Sequence, residues 1–365
     1  MTDSTEDSSS GVTRDPALDG IRGIAITLVI LSHWFLTSHG KDLIPRSGWK
    51  FYLAPVMNGD LGVLVFFVLS GYLITGILLR EKDKFGTISL GNFYRRRILR
   101  IWPAFYVFLG IMGILALLHV FRFNGMQFAS AGLFIWNYSP AAHGNWWLGH
   151  TWSLAVEEQF YLLWPLLLLV VRLRTAIVVA VSLILMDPLI RILQYLVFPG
   201  TRGNISIYFH TRMDSLLMGA LVALVAAYRP DLFAEISSWL TKRKMEWVAL
   251  ATLCFCSWLT VLFRGSFALS LGWSLENLAT AVILVVVLYS PYTGVRRRLS
   301  FRPLVFVGAV SFGLYLWQQL FTTDLNQSAL GRSPLGVLLL ALIVCLSWLF
   351  MEKPILRLKS KFSRK

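Results

Sequence analysis

Long apolar runs alternate along this chain with short polar segments in which Lys and Arg are concentrated. A helix needs about 20 apolar residues to cross a hydrocarbon core of roughly 30 Å. The pattern predicts ten such helices, at 21–38, 60–79, 102–121, 154–171, 175–197, 213–228, 246–263, 273–290, 304–321 and 335–351. Several fall short of the usual length, which leaves a tilted or re-entrant segment open as an alternative. The predicted fold class is an all-α polytopic membrane protein, with about ten transmembrane helices in one bundle. Residues 1–17 are polar and rich in Ser, Thr and Asp, which predicts a disordered tail. No basic stretch precedes an apolar core there, so no cleavable signal peptide is expected. A basic tail is placed at 353–365, and no linker or soluble-length segment divides 18–352, which is read as one membrane domain.

Composition agrees with this pattern. The 365 residues are 56% hydrophobic and 15% charged, whereas a soluble domain has about 45–50% apolar and about 25% charged residues. Charge adds more, because 34 Lys and Arg stand against 19 Asp and Glu, a net +15. Such a balance can mark nucleic-acid binding, but here the basic residues sit in short clusters between apolar runs, as topology signals do. With the N-terminus inside, 25 of the 34 fall on the inner side. The expectation is a multi-pass protein of a plasma or bacterial inner membrane with both termini cytoplasmic, partnered by the lipid bilayer and not by nucleic acid; a homo-oligomer is compatible with it. Cys254, Cys256 and Cys345 lie inside apolar runs and read as small hydrophobes, so no metal site is predicted.

Chemistry must come from polar residues placed where the bilayer makes them costly. In LDGIRGIAITLVILSHWF, Arg22 and His33 are eleven residues apart, which returns them to one helix face with a rise of roughly 16 Å. An imidazole there can accept and return a proton near neutral pH, or it can simply be a buried His bonded to a neighbouring helix. In HTWSLAVEEQFYLLWP, Glu157 and Glu158 head an apolar helix behind Trp152 and Ser153. Capping explains one acid at most, and adjacent positions point about 100° apart, so Glu157 is a candidate. The run NFYRRRILRIWPAFY sets Arg97 and Arg100 at i, i+3 beside aromatic residues, which suits phosphates, although topology alone also explains a basic cluster. Arg212 and Asp214 in HTRMDSLLMGALVA can pair with each other or with a polar acceptor. Ser311, Tyr315 and Gln318 form a polar stripe on one helix, a pattern that often serves only to join helices.

These motifs, in this order, resemble the acyltransferase-3 family of integral membrane O-acyltransferases. The resemblance runs through LDGIRGIAI with LSHW, FFVLSGYLIT, FYRRRILRIWPAFY, HTWSLAVEEQFYLLWP, RMDSLLMGAL, SFGLYLWQQ and SWLFMEKPILRL. It implies that Arg22 and His33 are the family's Arg-x10-His pair, with His33 catalytic, and that Glu157 is the acid of its WSL-x-VE-x-QFY element, which also holds Trp152, Ser153 and Gln159. Arg97 and Arg100 match its Arg-x-x-Arg element, and Arg212 with Asp214 its later Arg-x-Asp pattern. It further implies acyl-CoA, commonly acetyl-CoA, as the donor bound by Arg22, Arg97 and Arg100. A hydroxylated acceptor such as an envelope polysaccharide would receive the acyl group. Two departures stand out: Gln318 occupies a position where many relatives have His, and the chain is expected to act without a fused SGNH hydrolase-like domain. Beside Arg22, Asp19 is a structural candidate, as are Tyr315 and Gln318 near the chain's end. The competing expectation from another class is a transporter or flippase, against which no inverted repeat is seen; a non-catalytic assembly partner fits less well with reactive-type residues intact.

Overall fold

The computed structural model describes residues 15–38, 48–140, 145–290, 293–322 and 334–358. All ten predicted regions are helical, and no strand occurs among the described residues. The principal helices are α1 (Pro16–Ser38), α2 (Gly59–Phe85), α3 (Leu90–Leu117), α4 (Gly125–Gly132), α5 (Thr151–Val170), α6 (Leu173–Val197), α7 (Met213–Tyr228), α8 (Pro230–Lys242), α9 (Met245–Phe263), α10 (Trp273–Tyr289), α11 (Arg302–Ala309), α12 (Ser311–Phe321) and α13 (Pro334–Ser347). Eight helical stretches among the described residues are long and apolar enough to cross a membrane. The two remaining regions differ in kind. Helix α7 is apolar but has 16 residues, and the region expected as a single helix at 304–321 is broken into α11 and α12, bent by 76°.

That bend has its cause in a contact between distant segments. Gly308 of α11 lies against the Asp19 carbonyl of α1, so close that any side chain would overlap it, and α11 therefore lies flat on α1. Helix α12 then turns inward, burying Ser311, Tyr315, Gln318 and Gln319. Helices α2 and α7 are joined in a similar way: a Cβ on Gly71 would overlap the Leu216 carbonyl, and one on Gly219 the Val68 carbonyl. Small residues allow this approach where water supplies no hydrophobic drive between helices.

Helix ends shift relative to the sequence expectation where polar groups find partners. Helix α2 runs on to Phe85, and Glu81 near its end accepts from Arg96 of α3 at 2.9 Å. Helix α3 begins at Leu90, so the whole RRRILR run is helical. At the two ends of the predicted domain, α1 already starts at Pro16, inside the expected tail, with Asp15 paired to Arg296 at 3.0 Å. A helix over Lys353–Leu358 occupies the start of the expected basic tail.

These contacts gather the basic segments at one end of the bundle: the start of α1, the α2–α3 connection, the end of α5 (Lys82 Nζ donates to the Leu168 carbonyl, 2.7 Å), and the 293–302 segment. The opposite end holds the end of α1, the start of α2, the connections that precede α5 and α7, and the broken passage from α9 to α10, where a short helix over Gly265–Phe267 is followed by a π-helical turn over Ala268–Gly272.

Candidate active site

At the end opposite the basic segments a cavity of about 670 Å³ opens, and His33 is part of its wall. Its walls include the aromatic residues Trp136, Trp146, Trp152, Trp273 and Tyr315. Helix α1 delivers His33 on a run of apolar residues, and Trp146 and Gln318 both contact the ring. Trp146 meets it edge-on at 5.2 Å between centroids, and the Gln318 side-chain amide reaches Nδ1 at 2.8 Å. Gln318 is fully buried on α12, and the inward bend of α12 is what brings it to α1. The amide is itself braced by Thr322, whose hydroxyl donates to the Gln318 carbonyl at 2.7 Å and lies 3.2 Å from the side-chain Oε1.

Glu157 is placed elsewhere. Ser70 Oγ of α2 donates to its Oε1 at 2.7 Å, and Tyr161 donates to Ser70 Oγ at 3.2 Å. The Tyr161 ring in turn carries the Arg97 guanidinium at 5.3 Å, with Phe93 on its other flank at 5.8 Å. One chain of contacts thus runs from Glu157 through Ser70 and Tyr161 to Arg97, on the side of the bundle where α3 carries its basic run. Arg100 is exposed one turn further along α3. Arg22 belongs to neither group: it pairs with buried Asp19 at 3.1 Å, one turn earlier in α1.

An acyltransferase domain pattern matches residues 15–352 of this chain. The chain belongs to this acyltransferase family. Among curated relatives, it is 28% identical to peptidoglycan O-acetyltransferase OatA of Listeria monocytogenes, over 93% of this chain and 55% of that protein. It is 29% identical to O-acetyltransferase OatA of Staphylococcus aureus, over 93% of this chain and 57% of that one. The chain therefore spans little more than half the length of these relatives. No solved structure matches it.

Within the family frame, the remaining candidates divide by what they touch. Ser153 and Tyr315 hydroxyls meet at 2.5 Å, and Tyr315 also donates to the His150 carbonyl at 3.0 Å, tying α12 to the start of α5. Gln159 exchanges hydrogen bonds with Asn137 at 2.9 and 3.0 Å and donates to the Phe134 carbonyl, so it anchors the connection before α5. Trp152 packs on Phe67 and faces Arg212. Arg212 and Asp214 do not pair with each other. Asp214 takes a hydrogen bond from Arg191 of α6, whose Nε also donates to Asp187 at 3.2 Å. Fully buried Arg212 instead lies over the Trp273 ring at 4.2 Å, with no hydrogen-bond partner on its three guanidinium nitrogens. The i, i+2 spacing puts the two side chains on different sides of the helix start, and the nearer cation wins Asp214.

Sequence reasoning passed over several polar residues in and around this cavity. Asp187 and Arg191 are an i, i+4 pair in an apolar helix, and charge in such a setting is itself a signal. His150, with Nδ1 2.6 Å from Gln319 Oε1, sits among aromatic residues that resemble interfacial anchors. Asp60 in the cavity wall lies in the first turn of α2, where an acid reads as a helix-end charge.

The segment over 199–211 also contributes to the cavity wall through Arg202, Ile205, Ser206 and Ile207. It is held by stacking of Tyr138, Tyr208 and His210, and Tyr138 and His210 Nδ1 are 2.8 Å apart. Burial lowers the His210 pKa below the usual imidazole value.

Proposed function

We propose that this chain is a membrane-embedded O-acyltransferase that moves an acyl group, acetyl first of all, from cytoplasmic acyl-CoA to a hydroxyl of a carbohydrate acceptor. The observation that carries this is the position of His33: in the wall of a cavity that several aromatic residues help to line, with one ring nitrogen already held by Gln318. The acetylating activity and the glycan acceptor class draw support from the names of the two relatives, which concern O-acetylation and, in one case, peptidoglycan. The gathering of basic segments at one end of the bundle supports a cytoplasmic location for that end and for both termini.

In this mechanism the donor's phosphates bind Arg97 and Arg100, where charge-assisted hydrogen bonds favour a polyanion. Arg22 lies on the face of α1 that leads to His33, about 16 Å along the axis. It guides the extended pantetheine arm and is steadied by Asp19. At His33, an amide can meet Nδ1 in two ways: Nε2 of Gln318 donates to a bare Nδ1, or the amide turns over and Oε1 accepts from Nδ1–H. The second leaves Nε2 of the imidazole bare and basic. It also asks only one hydrogen of the Thr322 hydroxyl, already given to the Gln318 carbonyl. His33 Nε2 takes the proton of the acceptor hydroxyl as its oxygen attacks the thioester carbonyl. The tetrahedral intermediate expels the CoA thiolate, which recovers that proton from His33, and the products are the acyl ester and free CoA. Glu157, bonded to Ser70 rather than to His33, keeps Arg97 in place through Tyr161.

The test is incubation of the purified chain, reconstituted in liposomes, with radiolabelled acetyl-CoA and uncross-linked peptidoglycan strands. Alkali-labile acetyl esters on the glycan are expected. Passage of glycan across the bilayer without ester formation would identify a transporter instead.

A further inference from the structure

The start of α2 carries a group for which neither the fold nor the proposed reaction accounts. Asp60 is exposed, lines the cavity that contains His33, and makes no hydrogen bond or ion pair among the described residues. Its position follows from the crossing of α1 and α2. Gly59 abuts Ser32 so closely that a Cβ on it would stand 2.9 Å from Ser32 Cβ. Only a glycine allows this approach, and the residues that follow the two contact points are Asp60 and His33. The crossing therefore sets a carboxylate beside the imidazole in the same wall, and the Asp60 charge acts on both His33 and Arg212. Arg212 is sealed behind Trp152 and Trp273 and does not hydrogen-bond to it.

A carboxylate open to a cavity costs little while water fills the cavity, but it must find donors when a substrate displaces that water. Ring hydroxyls of a sugar supply such donors in pairs, and two oxygens on one carboxylate can accept from neighbouring hydroxyls with charge-assisted strength. The aromatic side chains of Trp146 and Trp152 in the same walls suit the apolar faces of a pyranose ring, and the volume of about 670 Å³ falls within the roughly 300–1,000 Å³ range of small-ligand sites.

We infer that Asp60 is the acceptor-binding residue of this cavity, accepting hydrogen bonds from sugar hydroxyls adjacent to the one presented to His33. The inference rests on the carbohydrate-acceptor function proposed above and adds to it the residue that grips the ring.

The test measures binding and turnover separately on the full chain in lipid nanodiscs, with chitotetraose as the probe. Calorimetry should show that Asp60→Ala weakens chitotetraose binding about tenfold, the loss of a hydrogen-bond pair to a charged group. Asp60→Asn, which keeps one acceptor oxygen and the helix start, should recover part of it. In acetyl transfer, both variants should raise the Michaelis constant for chitotetraose while moving that for acetyl-CoA less than twofold. Unchanged chitotetraose affinity in both variants, or no chitotetraose binding by the wild type, would overturn the assignment. It would also fall if the variants lowered kcat with a displaced pH profile and unaltered affinity, since Asp60 would then act through His33. Failure of the acyltransfer reading looks different: the wild type would bind chitotetraose through Asp60 yet form no acetyl ester.

Discussion

His33 and Gln318, 285 residues apart in the chain, meet at 2.8 Å between Nδ1 and the side-chain amide. A neutral imidazole whose Nδ1–H is accepted by an amide oxygen has a basic Nε2, and an imidazolium needs the same oxygen once both ring nitrogens donate. Gln318→Leu, which keeps the bulk and removes the acceptor, should therefore lower kcat about tenfold or more. The Michaelis constant for acetyl-CoA should stay nearly unchanged. Steady-state kinetics of labelled acetyl transfer checks this, and an equal loss in kcat and acetyl-CoA affinity would assign Gln318 to the donor path.

The Glu157–Ser70–Tyr161–Arg97 chain should be read out at the donor end. Glu157→Gln and Ser70→Ala are each expected to weaken acetyl-CoA binding several-fold, and the double variant should lose less than the sum, because the residues act through one network. Binding of labelled CoA to the purified variants measures it. Strict additivity would separate the two roles.

Much of this architecture was legible in the chain, for reasons that differ by element. The ten apolar runs announce their helices because a bilayer leaves few other options for the backbone, and the basic clusters mark which helix ends share a side. The break between α11 and α12 was not legible, because it arises from Gly308 pressing on the Asp19 carbonyl, a contact between segments far apart in sequence. His33, Arg22, Glu157 and Arg97 stand out as costly polar residues in apolar or motif settings. Their grouping does not: Glu157 goes to Ser70, His33 to Gln318, and Arg22 back to Asp19. Spacing within a helix reports which residues share a face, but not which neighbouring helix that face meets. Arg212 and Asp214 illustrate the same point, since their proximity in sequence suggested a pair that Arg191 breaks up.

Asp187, Arg191 and Asp214 form a buried ion cluster beneath Trp273. Removing one member leaves an uncompensated buried charge, which typically costs about 3–5 kcal/mol. Arg191→Met should therefore lower the thermal unfolding midpoint of the detergent-solubilised protein markedly. The triple variant Asp187→Leu, Arg191→Met, Asp214→Leu should recover much of the loss. A single variant as stable as the wild type would contradict the cluster's role in holding α6 to α7.

His210 should make the 199–211 segment sensitive to acid. Its folded pKa is lowered by burial, so the folded state favours the neutral ring. An unfolded His with a pKa of about 6.5 takes up a proton that the folded state resists. The stability contributed is thus present above that pKa and declines as pH falls below it. Hydrogen exchange in residues 199–211 should be faster at pH 5 than at pH 7.5 after correction for intrinsic rates, and His210→Gln should flatten the difference.

The central claim is that His33 carries out acyl transfer within an otherwise intact fold. Its most direct test is single-turnover transfer from labelled acetyl-CoA to peptidoglycan strands by the wild type and by His33→Ala, with CoA binding and thermal stability measured on the same preparations. The variant should bind CoA and unfold as the wild type does while transfer falls by at least about 100-fold, the contribution typical of a positioned general base. Transfer at the wild-type rate by a folded His33→Ala protein would contradict the account.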